Sequence, residues 1–306
     1  MAVTTDSPSL TNEQSLIDQF CVSFNADKSI WMNGKISQES LSLVIDNYKL
    51  KHYQSQLPSL QSKARFLCNT APNSGSWITA IPTSSKLRLS PDEYRIACYL
   101  RYGWKMFDEH NYDKHCIDCG KDVDDLGIHC LHCGQFGGWT MRHNAIRDCL
   151  FQWPQKAQLS VEKEKNGLLE DGKKPADIYI HSYLDRTDYA LDVTVTSPYK
   201  FDIIRDAAHE TLAAASQASI NKYKKYEKDV INKSWQFQPL CFEASGGFDK
   251  PSRLLINAIA TAVASRYGIA KAVIIRSITN ELSVILTRAA SRMVLRRMVE
   301  KEPLNY

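Results

Sequence analysis

Two short β-rich runs constrain this 306-residue chain more than any other feature: Ile178-Tyr179-Ile180, and Tyr189-Ala190-Leu191-Asp192-Val193-Thr194-Val195. Both are built from Ile, Val, Tyr and Thr, and a polar turn at Asp185 to Asp188 separates them, which predicts a β-hairpin. Asp177 enters the first run and Asp192 lies inside the second. A carboxylate within such a run is half-buried, and a buried charge needs a partner or a metal. Two carboxylates on neighbouring strands can hold a hard cation such as Mg²⁺, which prefers oxygen ligands. Such an ion lowers the pKa of a bound water and stabilises a phosphorane-like oxyanion. Further on, Lys222, Lys224 and Lys225 lie in a predicted helix, with Lys222 and Lys225 one turn apart on one face. A lysine beside the carboxylates can orient the water or neutralise developing charge. The plainer readings are strand-end polar residues for the aspartates and a solvated or phosphate-contacting face for the lysines.

The second constraint is Cys116-x2-Cys119-x9-His129-x3-Cys133. Thiolates and an imidazole at such spacings make a closed tetrahedral structural zinc site, with no position left open for chemistry. So short a knuckle has little core of its own, so the metal supplies its folding energy. His115, Cys130 and His132 are competing ligands, and Cys130 could replace His129. The nine cysteines, several at metal-ligand spacing, favour zinc in a reducing compartment over a disulfide framework.

Along the chain, residues 1–12 read as a disordered tail and 13–110 as a mostly helical region. The stretch from Ser15 to Tyr53 is irregular, a helix is predicted over 54–69, and Trp77 to Ile81 is short and apolar. Ser90-Pro91-Asp92-Glu93 opens a helix to Tyr102: a capping serine, a proline at the first helical position and acids at the positive end of the dipole. Residues 111–138 hold the knuckle. In 139–306 a helix over 141–153 precedes a charged linker or strand-flanking loop at 160–174 and the hairpin. One long helix is predicted over 202–233, a strand over 235–244, and helices over 251–267 and 270–300. The succession of helices and strands predicts an α/β core.

Taken in order, several motifs resemble the restriction-endonuclease-like, PD-(D/E)xK region of site-specific non-LTR retrotransposons and related reverse-transcriptase-associated proteins. They are Ala64-Arg65-Phe66 to Ser76-Trp77-Ile78, Asp92-Glu93-Tyr94-Arg95, the Cys-Cys-His-Cys cluster, and Arg142-His143-Asn144 with Arg147-Asp148. They continue through Asp171-Gly172-Lys173-Lys174-Pro175-x-Asp177, Leu191-Asp192-Val193-Thr194-Val195, Lys222-x2-Lys225-Tyr226 and Phe237-x-Pro239-Leu240 to Gly246-Gly247. The resemblance implies a central mixed sheet flanked by helices, with acids on the central hairpin holding Mg²⁺ or Mn²⁺. It implies an endodeoxyribonuclease that hydrolyses phosphodiester bonds to leave a 3′-hydroxyl and a 5′-phosphate. Its partners would be DNA, with RNA or a reverse transcriptase as further ones, and its compartment the nucleus. The chain departs from the pattern twice: Ala176 separates Pro175 from Asp177, and Thr194 stands where a lysine is expected. In this family the lysine moves to the next helix, which makes Lys222 and Lys225 the matching candidates. The alternatives are a non-catalytic DNA- or partner-binding module of the same fold, or a nuclease for branched DNA.

Other basic residues have two readings each. Arg142 could grip a phosphate bidentately and His143 could donate a proton or bind metal, or both could serve capping and packing. Lys174 and Lys224 are further candidate nucleic-acid contacts. Glu162, Glu170 and Glu243 are candidate extra metal ligands. Arg288, Arg292, Arg296 and Arg297 on the last helix could touch nucleic acid, or form a basic face over an apolar stripe of Val284, Leu286, Val294 and Leu295. Net charge is only +4, so any nucleic-acid surface must be local. The polar start, Met1 to Gln14, does not read as a secretory signal, and no stretch approaches a membrane span.

Overall fold

A computed structural model describes residues 9–27, 37–107, 112–169, 175–230 and 233–298. The chain forms two units, Met1–Pro58 and Ser59–Tyr306. The first contains α1 (Ser9–Phe24) and α2 (Gln38–Gln56), with Phe24 meeting Tyr48 edge-on at 5.6 Å. Residues 9–12, expected to be a tail, therefore open a helix. The expected irregular stretch is also largely helical. Its signal is weak because α2 buries no residue and is started instead by a capping box between Ser37 and Ser40. The helix predicted over 54–69 is broken. Pro58 has no N–H to donate, so α2 stops at Gln56 and α3 (Leu60–Thr70) restarts on a Ser59 cap.

The second unit joins the later part of the expected helical region, the knuckle and the α/β core. No boundary falls near residue 110, because α4 (Ser76–Thr79) and α5 (Pro91–Tyr102) pack on the last helix, α11 (Lys271–Leu295). Ser90 caps α5 and Pro91 opens it as the sequence predicts, and the Glu93 side chain returns to the Ser90 N–H to complete a capping box. The knuckle contains a short helix, α6 (Ile128–His132), and rests on Ile96, Phe107, Ala290 and Val294.

The core is mixed α/β. Helix α7 (Gly138–Lys156) leads into β1 (Val161–Lys163), β2 (Ile178–Ile180) and β3 (Asp188–Thr196). A short α8 (Ile204–Ala207) and then α9 (Ala213–Val230) cross over to β4 (Trp235–Glu243), followed by α10 (Lys250–Tyr267) and α11. The four strands lie in the order β1-β2-β3-β4. The first two pairings are antiparallel and β3 pairs parallel with β4. A parallel pair needs a crossover, and α9 supplies it. Pro239 lies in β4, an edge strand, where its missing donor is tolerated.

Period-two alternation sorts β2 and β3 between two helical layers. Ile178, Ile180, Leu191 and Val193 join Ile146, Leu150, Ile256 and Ile278 in the main core, on the side of α7, α10 and α11. Tyr179 and Ala190 join Tyr226 and Phe237 beneath α9. Asp192 has the phase of Ala190, and so belongs to the α9 side.

The long helix predicted over 202–233 is two pieces. Leu212 is buried and takes a left-handed conformation (φ 65°) between them. Helix α9 then starts beside Glu243, whose carboxyl pKa is raised by burial, against the pull of Cys68 and of the nearby N–H groups of Ala215 and Ala214. Glu243 is not beside the carboxylate pair because it pairs with Thr196 at the far end of β3. Residues 231–232 lie outside the described residues, and α11 ends at Leu295. Among the described residues no helix is long and apolar enough to cross a membrane.

Candidate active site and metal centre

The hairpin register pairs Ile178 with Leu191, so Asp177 and Asp192 are the next cross-strand neighbours. The Asp177 N–H donates to Leu191 O at 2.8 Å and extends the ladder to that point. Directly opposed residues of an antiparallel pair project to the same face. Asp177 Oδ2 accepts the Val193 N–H at 2.6 Å and meets His143 Nε2 from α7 at 3.1 Å. Burial works to raise the Asp177 pKa, but His143, the Val193 N–H and the charge of Lys222 outweigh it and hold it below the ordinary value. The same contact with Asp177 raises His143.

Asp192 has the opposite balance. It is only 7% exposed, and Lys222 Nζ of α9 lies 2.6 Å from its Oδ2, the ion-pair partner of that oxygen. Burial pushes its pKa up to about 6; Lys222 resists the rise and the neighbouring Asp177 carboxylate adds to it. Two adjacent acids with pKa values displaced in opposite directions are what a low-dielectric site does to like charges. Two carboxylates that repel one another in this way are a donor set of the kind a hard divalent cation takes; such an ion would relieve the repulsion and keep waters in its remaining positions.

Lys222 is the lysine of this cluster. Lys225, one turn on, lies over the Tyr226 ring at 4.8 Å and lines an adjoining groove with Lys200, Asn221 and Lys222. Lys224 is exposed. Lys174 and Glu170 lie outside the described residues. Glu162 sits on β1, bonded to Lys165 at 2.6 Å and His181 at 2.5 Å, away from the pair. The inserted Ala176 is buried under α9 with Tyr179 and Ala190.

The knuckle brings Cys116, Cys119, His129 and Cys133 together, with all four ligand atoms within 4.8 Å of one another. Cys116 Sγ and Cys133 Sγ are 3.8 Å apart, and Cys119 Sγ and His129 Nε2 3.4 Å. Tetrahedral bonds of about 2.3 Å to sulfur and 2.0 Å to nitrogen set such edges at about 3.8 and 3.5 Å. The donor set therefore fits a metal ion, consistent with zinc. Cys130 is not part of it: the α6 helix turns its thiol into the apolar cluster with Ile96 and Phe107, and burial raises its pKa. His132 also points elsewhere, meeting Ser197 Oγ at 2.6 Å just after β3. His115 is exposed and bonded to Asp113.

The last helix is not a free basic face. Arg297 is 1% exposed. It donates to Cys116 Sγ at 3.3 Å and to Met293 O at 2.7 Å, and its Nη2 lies 2.6 Å from Asp118 Oδ2. Arg296 also pairs with Asp118, Arg292 with Glu93, and Arg288 with the carbonyls of Ser85, Lys86 and Arg88. These arginines tie the knuckle and α5 to α11. Their i, i+4 spacing resembles a DNA-binding stripe, and nothing in it reveals the acids that neutralise them.

Neither a family model nor a curated protein sequence matches this chain.

Proposed function

We propose that this protein is a metal-dependent endodeoxyribonuclease with a PD-(D/E)xK-type core. The observation that carries the reading is the convergence of Asp177, Asp192 and Lys222 at one end of a hairpin within a mixed sheet flanked by helices. This is the arrangement of parts that hydrolysis of a phosphodiester requires. Asp177 and Asp192 would hold Mg²⁺ or Mn²⁺, which when bound would supply an acidified water and positive charge for the phosphorane. Lys222, displaced from Asp192 by the ion, can orient the attacking water or offset charge on a non-bridging oxygen. It comes from α9 and reaches the space over Thr194, the position where a strand lysine would stand. His143 and the Val193 N–H both fix the same oxygen, Oδ2, of Asp177. The Lys200–Lys225 groove beside the site gives the strand a basic path. The knuckle contributes structure: His132 holds the end of β3 through Ser197.

The test is nicking of supercoiled DNA by zinc-loaded protein with and without Mg²⁺ or Mn²⁺. Cleavage that needs the divalent ion and disappears in Asp177→Asn and Asp192→Asn is expected. No cleavage of duplex, branched or single-stranded DNA at any divalent concentration would leave the protein a binding module of the same fold.

A further inference from the structure

Arg142, on the first turns of α7, is 3% exposed, and its Nε and Nη1 are buried with no hydrogen-bond partner among the described residues. Among those residues no carboxylate compensates it; burial draws its pKa down to about 10. An uncompensated buried guanidinium is costly, since each unmade bond to a charged donor and the missing counter-charge both work against the fold. The residue borders a cavity of about 320 Å³. Its polar wall includes Arg142, Lys200 and Lys222, the imidazoles of His132 and His143, and hydroxyl groups, and among the described residues no acidic side chain lines it. A second buried polar atom, Thr194 Oγ1, also lacks a partner.

We propose that this cavity is a phosphate-binding subsite, separate from the carboxylate pair, with Arg142 as its principal ligand and Thr194 as a second. Arg142, Lys200 and Lys222, the last of them paired with Asp192, and the hydroxyls of Thr140, Thr194 and Ser197 surround one cavity; such a lining suits an anion with several oxygens, and a guanidinium can engage two of those oxygens at once. A water molecule would satisfy the donors but bring no charge. The cavity shares Lys222 and His143 with the Asp177–Asp192 site, so its anion sits beside that site and not at it. On the nuclease reading, on which this assignment of the donor rests, the anion is a non-scissile phosphate of the bound strand. It would set the register of the strand at the cut. Phosphate binding itself does not depend on that reading.

The experiment titrates inorganic phosphate into the zinc-loaded protein, without magnesium or manganese, by calorimetry and ³¹P NMR. Wild type is expected to bind saturably. Arg142→Met should weaken binding roughly tenfold or more, as loss of a charge-assisted bidentate contact does. Arg142→Lys should recover part of it, and Thr194→Val, which removes an orphaned hydroxyl without a cavity, should weaken it by a smaller factor. Lys51→Met, an equal loss of charge on an exposed helix, should leave it unchanged. The proposal is overturned if wild type shows no saturable binding, if Arg142→Met and Thr194→Val bind as wild type does, or if Lys51→Met loses as much as Arg142→Met. Nicking assays on the same preparations separate the two claims. Phosphate binding without divalent-dependent cleavage removes the nuclease reading and keeps the subsite. Cleavage with phosphate binding indifferent to Arg142 does the reverse.

Discussion

Lys222 Nζ lies 2.6 Å from Asp192 Oδ2, across a gap between a crossover helix and the strand it crosses from. Thr194, two residues along the same face of that strand, lines the same grooves as Lys222. This predicts that Lys222→Met abolishes divalent-dependent nicking, whereas Lys225→Met, which removes a groove cation, chiefly weakens DNA binding. The measurement is single-turnover cleavage at saturating DNA beside a salt-dependent binding curve. Equal loss of cleavage in both variants would contradict the division of labour.

Asp192 makes the protein's stability respond to pH in a definite direction. Its folded pKa of about 6 lies above the ordinary carboxylate value, so the folded state favours the protonated form. That contribution is fully present below about pH 4 and is lost as pH rises through about 6, on the order of 3 kcal/mol for this group. Asp177, held low, acts in the opposite sense, losing its contribution as pH falls. The wild type minus Asp192→Asn difference in unfolding free energy, followed from pH 4 to 7, isolates the first effect. It should favour wild type progressively more toward acid. Mg²⁺ at pH 7 should raise the Tm of wild type and not of Asp192→Asn.

The knuckle should carry a single equivalent of zinc. Cys116→Ser or His129→Ala should lose it and loosen the segment, because the four ligands act together with the apolar cluster beneath them to hold it. Cys130→Ala should retain the metal and cost only the packing of a small buried side chain. Metal analysis with near-ultraviolet circular dichroism reads both outcomes; zinc lost from Cys130→Ala would put that thiol among the ligands.

Arg297 and Asp118 form a pair with both side chains 1% exposed. Removing one partner strands the other, so Arg297→Met should destabilise the protein by about 3–5 kcal/mol. The double variant Arg297→Met with Asp118→Asn should recover much of that loss. Chemical denaturation of the two variants measures the difference, and additive losses would show that the pair is not coupled.

The parts legible in the sequence are those set by local rules. The hairpin follows from β-branched residues flanking a polar turn. Helix α5 follows from Ser90, Pro91 and Glu93, and the knuckle from the spacing of four ligands. The strand over 235–244 likewise falls where its apolar pattern places it. Most of the failures come from contacts that are distant in the chain. Leu212, buried and left-handed, breaks a helix that composition would continue, and the helix resumes at Ala213 beside Glu243 of another strand. The arginines of α11 read as a basic face until Asp118 and Glu93 arrive from elsewhere. Cys130 and His129 are adjacent, and the turn of α6 alone separates ligand from core residue. Pro58 was a local signal, and it divides the helix that periodicity would have run through.

By itself the amino-acid order determined which groups could do chemistry here: two acids in a hairpin, lysines on the following helix, and a Cys/His cluster dense enough to bind metal. Tertiary structure decided which of them meet and which are spent on stability. Hydrogen-bond ladders and local propensities act over a few residues and are written into the chain. Burial and ion pairing depend on neighbours far away in it, and those forces displace Asp177 and Asp192 to opposite sides of their ordinary pKa, bring Lys222 to the second of them, and leave Arg142 without a counter-charge.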